Sequence, residues 1–273
     1  MQTPLFKIRA SQCGKIMGGA FSKPTDKQIE RLNELQARAN GEGKPLTDNM
    51  KAELADLIAK RDNPPMLQAG AKTYLQQWMK EQLYNRRKEF SNQFTEKGLL
   101  CEDAAISFVS RLMGYGEIEK NTVFKENDYC TGTADLVLRD SVEDIKNSWD
   151  VFTFPLFATG LPESDYYYQL QVYMWLYGKE RAAVNYCLID APEEIIDQVA
   201  RSQSYKAGNS EVDMELYDEV RLKMCFPDIH PRLKLKRFEF TYNEIAIAGI
   251  QQQVKLCREY INREWPKLIE LIK

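Results

Sequence analysis

Residues 131–146, TGTADLVLRDSVEDIK, place charged side chains within a segment that is otherwise typical of a half-buried β-hairpin. The alternation of apolar and polar residues predicts two short strands around a polar turn. Because successive side chains of a strand point to opposite faces, Asp144 and Lys146 share one face. Glu143 and Ile145 share the opposite face.

The predicted turn, near residues 139–141, folds the first strand back and brings Asp135 close to Asp144. Two neighbouring carboxylates repel each other unless a cation lies between them. Oxygen ligands favour Mg²⁺ or Mn²⁺, and Lys146 beside such an ion could orient a water or stabilise charge on a phosphate. The alternative is a surface hairpin with solvated charges and a salt bridge.

A helix is predicted over residues 96–113, and its apolar stripe contains a glutamate. At helical periodicity one stripe carries Leu99, Ile106, Val109 and Met113, and the polar side carries Asp103, Ser107 and Ser110. Glu102 falls on the apolar stripe. A buried glutamate must be paired, protonated or bound to a metal, whereas one at the rim of the stripe would reach water.

A third unusual segment is YYYQLQVYMW, residues 166–175, in a helix predicted over residues 165–178. It is apolar or aromatic almost all round, yet it contains Gln169 and Gln171. Buried amides need hydrogen-bond partners. A substrate, a catalytic side chain or the backbone of the core could supply them.

The rest of the chain is predicted to be helical before residue 95 and mixed α/β after it. Helices at 25–40 and 47–60 are predicted to form a helical hairpin, which Asn63-Pro64-Pro65 ends. Further helices are predicted at 68–88, 192–203, 212–225 and 243–272. Strands are predicted at 117–126, 130–148, 182–189 and 232–240. We expect one α/β domain, residues 1–273, with a mixed central sheet flanked by helices. Its parts are an N-terminal segment (1–21), a helical insertion (22–95), the core (96–190) and C-terminal helices with a strand (191–273).

Composition limits the function classes. The net charge of -3 gives no global basic field, which weakens a nucleic-acid role without excluding a local basic groove. The six cysteines form no CxxC pair, so a zinc or iron–sulfur site has little support. His230 is the single histidine, which argues against histidine-based chemistry. No segment resembles a signal peptide or a membrane span, and we expect a cytoplasmic protein with reduced thiols and no membrane association.

Taken in order, these pieces resemble the PD-(D/E)xK nuclease superfamily, in particular the lambda-exonuclease type and related RecB-type phage nucleases. The matching motifs are GLLCEDAA with Gly98, Glu102 and Ala105, then Asp135 with Asp144-Ile145-Lys146, then YYYQLQ with Gln169 and Gln171. The match covers residues 95–190, about a third of the chain. Ala134 stands where the family often has proline before the first aspartate. The resemblance implies a restriction-endonuclease-like core.

The resemblance also implies a catalytic site. Glu102, Asp135 and Asp144, with the backbone carbonyl of Ile145, would bind one or two Mg²⁺ ions, which Mn²⁺ can replace, and no iron–sulfur cluster is expected. Lys146 would position or deprotonate the attacking water, and a basic role requires a lowered pKa. Gln169 would orient Lys146 or the water.

The family's activity would be exonucleolytic resection of linear duplex DNA ends in phage recombination, beside a single-strand annealing protein. Family members form ring-shaped trimers, and the location would be the cytoplasm of a bacterial host. Candidate DNA-binding residues are Ser11, Arg9, Lys15, Gln171 and Trp149, although Arg9 is not at the family's spacing and Trp149 could belong to the core. Alternatives are a structure-specific or site-specific endonuclease, or an inactive DNA-binding or interaction protein. Residues 22–95 could be a lid, a DNA clamp or a partner surface.

Overall fold

The computed structural model describes residues 2–20, 24–62, 66–88 and 92–271, without the side chains of residues 59 and 60. The predicted helix end at residues 63–65 lies outside this part. The chain divides into two compact units, one of Met1–Arg87 with Glu244–Lys273 and one of Lys88–Asn243. The single domain that the sequence suggests therefore stays a prediction.

The first unit begins with a short strand and four helices: β1 (Ile8–Arg9), α1 (Cys13–Met17), α2 (Asp26–Ala39), α3 (Asp48–Asp62) and α4 (Ala69–Tyr84). A capping box between Thr25 and Gln28 starts α2. Leu32, Leu35 and Leu57 form a buried cluster between α2 and α3. The predicted helical hairpin is thus confirmed, because each helix has only one apolar stripe and buries it against the other.

The second unit opens with two helices, α5 (Gln93–Leu100) and α6 (Glu102–Met113), where the sequence predicted one. Cys101 adopts a turn conformation, with φ -90° and ψ -3°, between them. The predicted apolar stripe is therefore wrong at its ends, since Leu99 on α5 is 71% exposed and Met113 is 39% exposed. Ser110, placed on the polar side, is buried.

The second unit contains a mixed sheet, as predicted. The strands of the unit are β2 (Lys125–Glu126), β3 (Cys130–Gly132), β4 (Leu136–Val137), β5 (Ser141–Asn147), β6 (Arg181–Cys187) and β7 (Leu235–Thr241), and the mixed sheet consists of the last four. β2 pairs antiparallel with β3. In the order β4-β5-β6-β7, the first and last pairs are antiparallel and the central pair is parallel. The turn predicted at residues 139–141 is present, closed by a 2.8 Å hydrogen bond from Leu138 N–H to the Ser141 carbonyl.

Helices cover both faces of this sheet. The remaining helices of the unit are α7 (Ser164–Tyr177), α8 (Glu193–Lys206) and α9 (Met214–Met224). Ala105, Ile106 and Val109 of α6 pack against Ile145, so α6 covers one face of β5. Gln169 of α7 reaches the other face through Asp144. Residues on both faces of β5 are consequently buried, which makes any charge on this strand dependent on internal partners.

The last helix, α10 (Glu244–Glu270), belongs to the first unit. It buries a periodic apolar face that includes Ile250, Val254, Cys257 and Ile261. Within the described ranges, no helix is long and apolar enough to cross a membrane. None of the six cysteines, all of which lie within the described residues, forms a disulfide.

Candidate active site

Asp135 and Asp144 lie across from each other, as the strand periodicity predicts. Leu136 pairs with Glu143 in the antiparallel ladder, and one further step of the same register sets Asp135 opposite Asp144. Side chains of directly opposed residues project from the same face. Asp135 Oδ2 accepts a 2.7 Å hydrogen bond from the Ile145 N–H, which fixes its carboxylate at the edge of β5.

Asp144 is the most enclosed of the predicted carboxylates, at 2% exposure. Gln169 Nε2 donates to its Oδ1 at 2.7 Å, and Lys146 Nζ forms an ion pair with its Oδ2 at 2.7 Å. Gln169 Nε2 also lies 3.1 Å from the hydroxyl of Tyr173. Gln169 therefore holds the aspartate, whereas the sequence suggested that it would orient the lysine or a water.

Lys146 is held as a cation. Burial lowers the pKa of Lys146, but the charge and hydrogen bond of Asp144 and the charge of Asp135 raise it more, and the net pKa lies above its ordinary value. Its ammonium also lies 4.6 Å from the centre of the Tyr166 ring, a cation–π contact. Lys146 therefore carries a positive charge on the face of the sheet that also holds Asp144.

The aspartate pair has the electrostatics of a cation site. Burial, and next the negative charge of Asp144, raise the pKa of Asp135 to about 7, against the opposing effects of the Ile145 N–H and of Lys146. One lysine does not neutralise two ionised carboxylates, and a divalent cation between them would remove the repulsion. The donor atoms are oxygens, which suit Mg²⁺ or Mn²⁺.

Glu102 stands at the first position of α6, with its side chain 17% exposed. Its Oε2 lies 2.5 Å from Nζ of Lys120, a partner that the sequence analysis missed. Across the described residues, no group of three or more Asp, Glu, His or Cys side chains is arranged to hold a metal ion. Asp135 and Asp144 thus fit a divalent ion, and Glu102 could join them only by leaving Lys120.

Comparison with solved structures identifies the fold. A phage-related exonuclease from Haemophilus somnus 129PT matches with a TM-score of 0.66 and 20% identity, over 97% of each chain. An alkaline exonuclease from Laribacter hongkongensis matches with a TM-score of 0.56 and 13% identity, over 98% of this chain and 94% of that one. The chain has the PD-(D/E)xK nuclease fold. The Laribacter enzyme in complex with dAMP matches equally well, with a TM-score of 0.57 and 14% identity. Neither protein-family models nor the curated proteins give a match.

The PD-(D/E)xK sheet carries a second buried carboxylate on its opposite face. Glu143, fully buried, accepts two hydrogen bonds from Arg237, at 2.7 and 2.9 Å. Asn185 Nδ2 donates to it at 2.7 Å and the Tyr115 hydroxyl at 2.8 Å. Arg237 lies opposite Asn185, and Asn185 lies opposite Ile145, two residues from Glu143. Glu143, Asn185 and Arg237 therefore share one face on adjacent strands. Sequence reasoning assigned Glu143 to this face but gave no signal for its partners.

The end of β5 is fastened by a buried lysine, which the sequence analysis also missed. Lys97, 1% exposed, donates to the carbonyls of Ser148 and Trp149 at 2.9 and 2.8 Å. Burial lowers the pKa of Lys97. The ring of Trp149 is partly buried and packs edge-on against Phe94, with centroids 4.8 Å apart. Trp149 therefore has a packing role, and a DNA contact by its remaining surface stays a prediction.

Three predicted DNA-binding residues lie in the first unit. Arg9 forms a 3.0 Å ion pair with Glu81. Ser11 and Lys15 are exposed, and the Lys15 ammonium lies 5.7 Å from the centre of the Tyr74 ring. These contacts leave a role in DNA binding as a prediction.

The prediction for Gln171 is wrong. The residue is completely buried, its Nε2 donates to the Thr241 carbonyl at 2.9 Å and its Oε1 accepts from the Asn243 N–H at 2.9 Å. Both ends of the amide are thus used to fasten the end of β7 to α7. No part of the side chain is available to DNA.

Proposed function

We propose that the protein is a metal-dependent exonuclease that degrades linear double-stranded DNA from its ends. The observation that carries this proposal is the buried Asp144, held by Gln169 and paired with Lys146, across from Asp135. A buried carboxylate pair with an excess of negative charge destabilises the fold unless a proton or a cation is bound, and such pairs are typical of functional sites. The fold shared with two exonucleases supports the same class of activity.

The roles of the residues follow from their contacts. Asp135 and Asp144, with the Ile145 carbonyl and with Glu102 once it is released from Lys120, would hold Mg²⁺ or Mn²⁺, which activates water and polarises the scissile phosphate when bound. Lys146, a cation on the same face, stabilises the negative charge that develops on the phosphate. Gln169 keeps the carboxylate of Asp144 in a fixed orientation.

The substrate and partners are part of the proposal. DNA as substrate is supported by the exonuclease neighbours, one of which was solved in complex with dAMP. From the family resemblance we propose resection of duplex ends in phage recombination, action beside a single-strand annealing protein, and a ring-shaped trimer. Ser11, Arg9, Lys15 and the exposed part of Trp149 are the proposed DNA contacts.

The test compares linear and closed-circular duplex DNA of one sequence, with Mg²⁺, with Mn²⁺ and with EDTA. We expect the protein to degrade the linear form only when a divalent ion is present, and to leave the circle intact. Lys146→Ala should abolish cleavage. Lys179→Ala should retain it, because Lys179 is a partly exposed lysine that donates to the Arg139 carbonyl.

Three other outcomes of this cleavage assay would contradict the proposal. Cleavage of the circle would replace the exonuclease by an endonuclease on the same site. Cleavage that survives in Lys146→Ala would place the activity elsewhere. Absence of cleavage with every divalent metal tested would favour an inactive DNA-binding or interaction protein.

A further inference from the structure

The loop between β5 and α7 presents two aromatic rings to solvent. Phe152 is 93% exposed and Phe157 is 92% exposed, while Phe154 between them is buried. The loop is therefore anchored by one phenylalanine and displays the other two. Exposed rings of this size contribute nothing to the core, and two of them in one short loop make it a candidate surface for a partner.

This loop is held in one conformation by its own hydrogen bonds. Asp150 Oδ1 accepts from the N–H groups of Phe152 and Thr153, at 3.0 and 2.8 Å. Thr153 Oγ1 in turn accepts from the Asp150 N–H at 2.9 Å. These bonds order the backbone that carries Phe152, which lowers the entropy that a partner must overcome on binding this part of the loop.

A row of side chains connects the loop with the candidate active site. Lys146, Tyr186 and Lys236 occupy matching positions on β5, β6 and β7, so all three project from one face of the sheet. Two strand spacings separate Lys236 from Lys146, about 10 Å. The Lys236 ammonium donates to the carbonyl of Leu156 at 3.2 Å, directly before Phe157.

The middle of this row has an unused hydrogen-bonding group. The hydroxyl of Tyr186 is buried and has no hydrogen-bond partner among the described residues. Its ring packs edge-on against Tyr166 and Phe238, with centroids 6.4 and 5.9 Å apart. Buried hydroxyls nearly always have a partner, so a ligand oxygen or a bridging water is expected here.

We propose that Phe152, Phe157 and Lys236 form a stacking surface for the single DNA strand that continues from the phosphate at Lys146, with the Tyr186 hydroxyl as a hydrogen-bonding group for that strand. Bases stack on the two phenyl rings, and a backbone phosphate pairs with Lys236. Aromatic rings beside a cation suit single-stranded DNA, because duplex DNA hides its base faces. The inference rests on the proposed nuclease function, and it adds a binding subsite without sequence preference.

The test measures binding without cleavage. Lys146→Ala protein with Mg²⁺ is titrated into a fluorescein-labelled oligothymidylate of about 12 nucleotides, and into an abasic strand of equal length. Replacing Phe152 and Phe157 by serine should weaken binding of the oligothymidylate about fivefold or more, and leave the abasic strand unaffected. Lys236→Gln should reduce the slope of log affinity against log salt by about 0.7 for both strands. Leu222→Ser, at a residue of α9 that is 80% exposed, is the matched control and should change neither affinity.

Two results would overturn the inference. One is unchanged affinity of the double serine variant for the oligothymidylate. The other is a change of its oligomeric state in size-exclusion chromatography, which would assign the rings to a contact between copies of the chain. Cleavage of linear duplex by the unmodified protein is measured in parallel. If the protein cleaves DNA and the serine variant binds normally, only the stacking surface is refuted; absence of cleavage refutes the nuclease proposal instead.

Discussion

Replacement of Glu143 by alanine should strongly destabilise the second unit. The carboxylate is fully buried and accepts four hydrogen bonds, from Arg237 twice, from Asn185 and from Tyr115. The variant leaves the Arg237 guanidinium, whose side chain is 17% exposed, without its principal counter-charge. Removing one partner of a buried ion pair lowers the free energy of unfolding by about 3–5 kcal/mol.

Glu239→Ala is the matched control, because it alters the same arginine. Glu239 Oε1 accepts from Arg237 Nε at 2.9 Å, but the Glu239 side chain is 72% exposed. An ion pair at the surface contributes about 0.2–1 kcal/mol. The difference between the two variants therefore measures the effect of burial on a charge pair.

The assay is thermal unfolding followed by circular dichroism, with hydrogen exchange of residues 141–147 to locate the change. At about 2–4 °C for each kcal/mol, Glu143→Ala should lower Tm by roughly 6–20 °C, and Glu239→Ala by at most about 4 °C. Combining Glu143→Leu with Arg237→Met should recover most of the loss, since no unpaired charge remains. Equal losses in the two single variants, or no recovery in the double variant, would refute the reasoning.

Three further predictions concern the candidate active site. The metal-free protein should lose thermal stability as the pH rises from about 4 to about 7, because Asp135 holds its proton longer in the folded state, and Asp135→Asn should remove this dependence. Lys120→Ala should lower the Mg²⁺ concentration for half-maximal cleavage, since the Glu102 carboxylate loses its competing ammonium, whereas Lys120→Arg should not. Gln169→Ala should reduce cleavage or metal affinity about 10–100-fold, while Gln171→Ala should lower Tm and leave the metal dependence of the folded protein unchanged.

For each of these three predictions, one experimental result would contradict it. Stability that is constant between pH 4 and pH 7 without metal would refute the charge argument for Asp135. An unchanged or higher Mg²⁺ requirement in Lys120→Ala would show that Glu102 is not a ligand. Equal effects of the two glutamine variants on metal dependence would remove the distinction between their roles.

The sequence alone was sufficient where a short-range rule determines geometry. The period-two alternation of a strand assigned Asp144 and Lys146 to one face, and a single polar turn placed Asp135 across from them. The same rule assigned Glu143 to the opposite face. These inferences needed no contact beyond the hairpin itself.

Prediction from the sequence failed where hydrogen-bond partners are distant along the chain, and where a helix ends without a helix-breaking residue. Lys120 neutralises Glu102 from 18 residues away, and Gln171 bonds to Thr241, 70 residues away. Neither pairing produces a periodic pattern in the sequence. The break between the two helices is at Cys101, which is neither glycine nor proline. A single helical wheel drawn through that residue therefore assigned Leu99 to the buried face, which was wrong.

Charge balance distinguishes the two neighbouring carboxylates of β5. Glu143 is matched by Arg237, whose other acidic partner, Glu239, is exposed, and by two neutral donors, so its negative charge is neutralised within the protein. Asp144 and Asp135 share Lys146, which leaves the opposite face with one negative charge in excess when both are ionised. Glu143 and Asp144 are both buried, but only the face of Asp144 can gain stability from a divalent cation.

The same criterion applies to Glu102. Its carboxylate is paired with Lys120, which reduces the negative charge that Glu102 adds near Asp135. A metal ion must therefore compete with an ammonium for this third carboxylate, and the competition makes cation affinity depend on Lys120. We therefore expect Lys120, which lies outside the motifs that the sequence shows, to influence the metal concentration that the site requires.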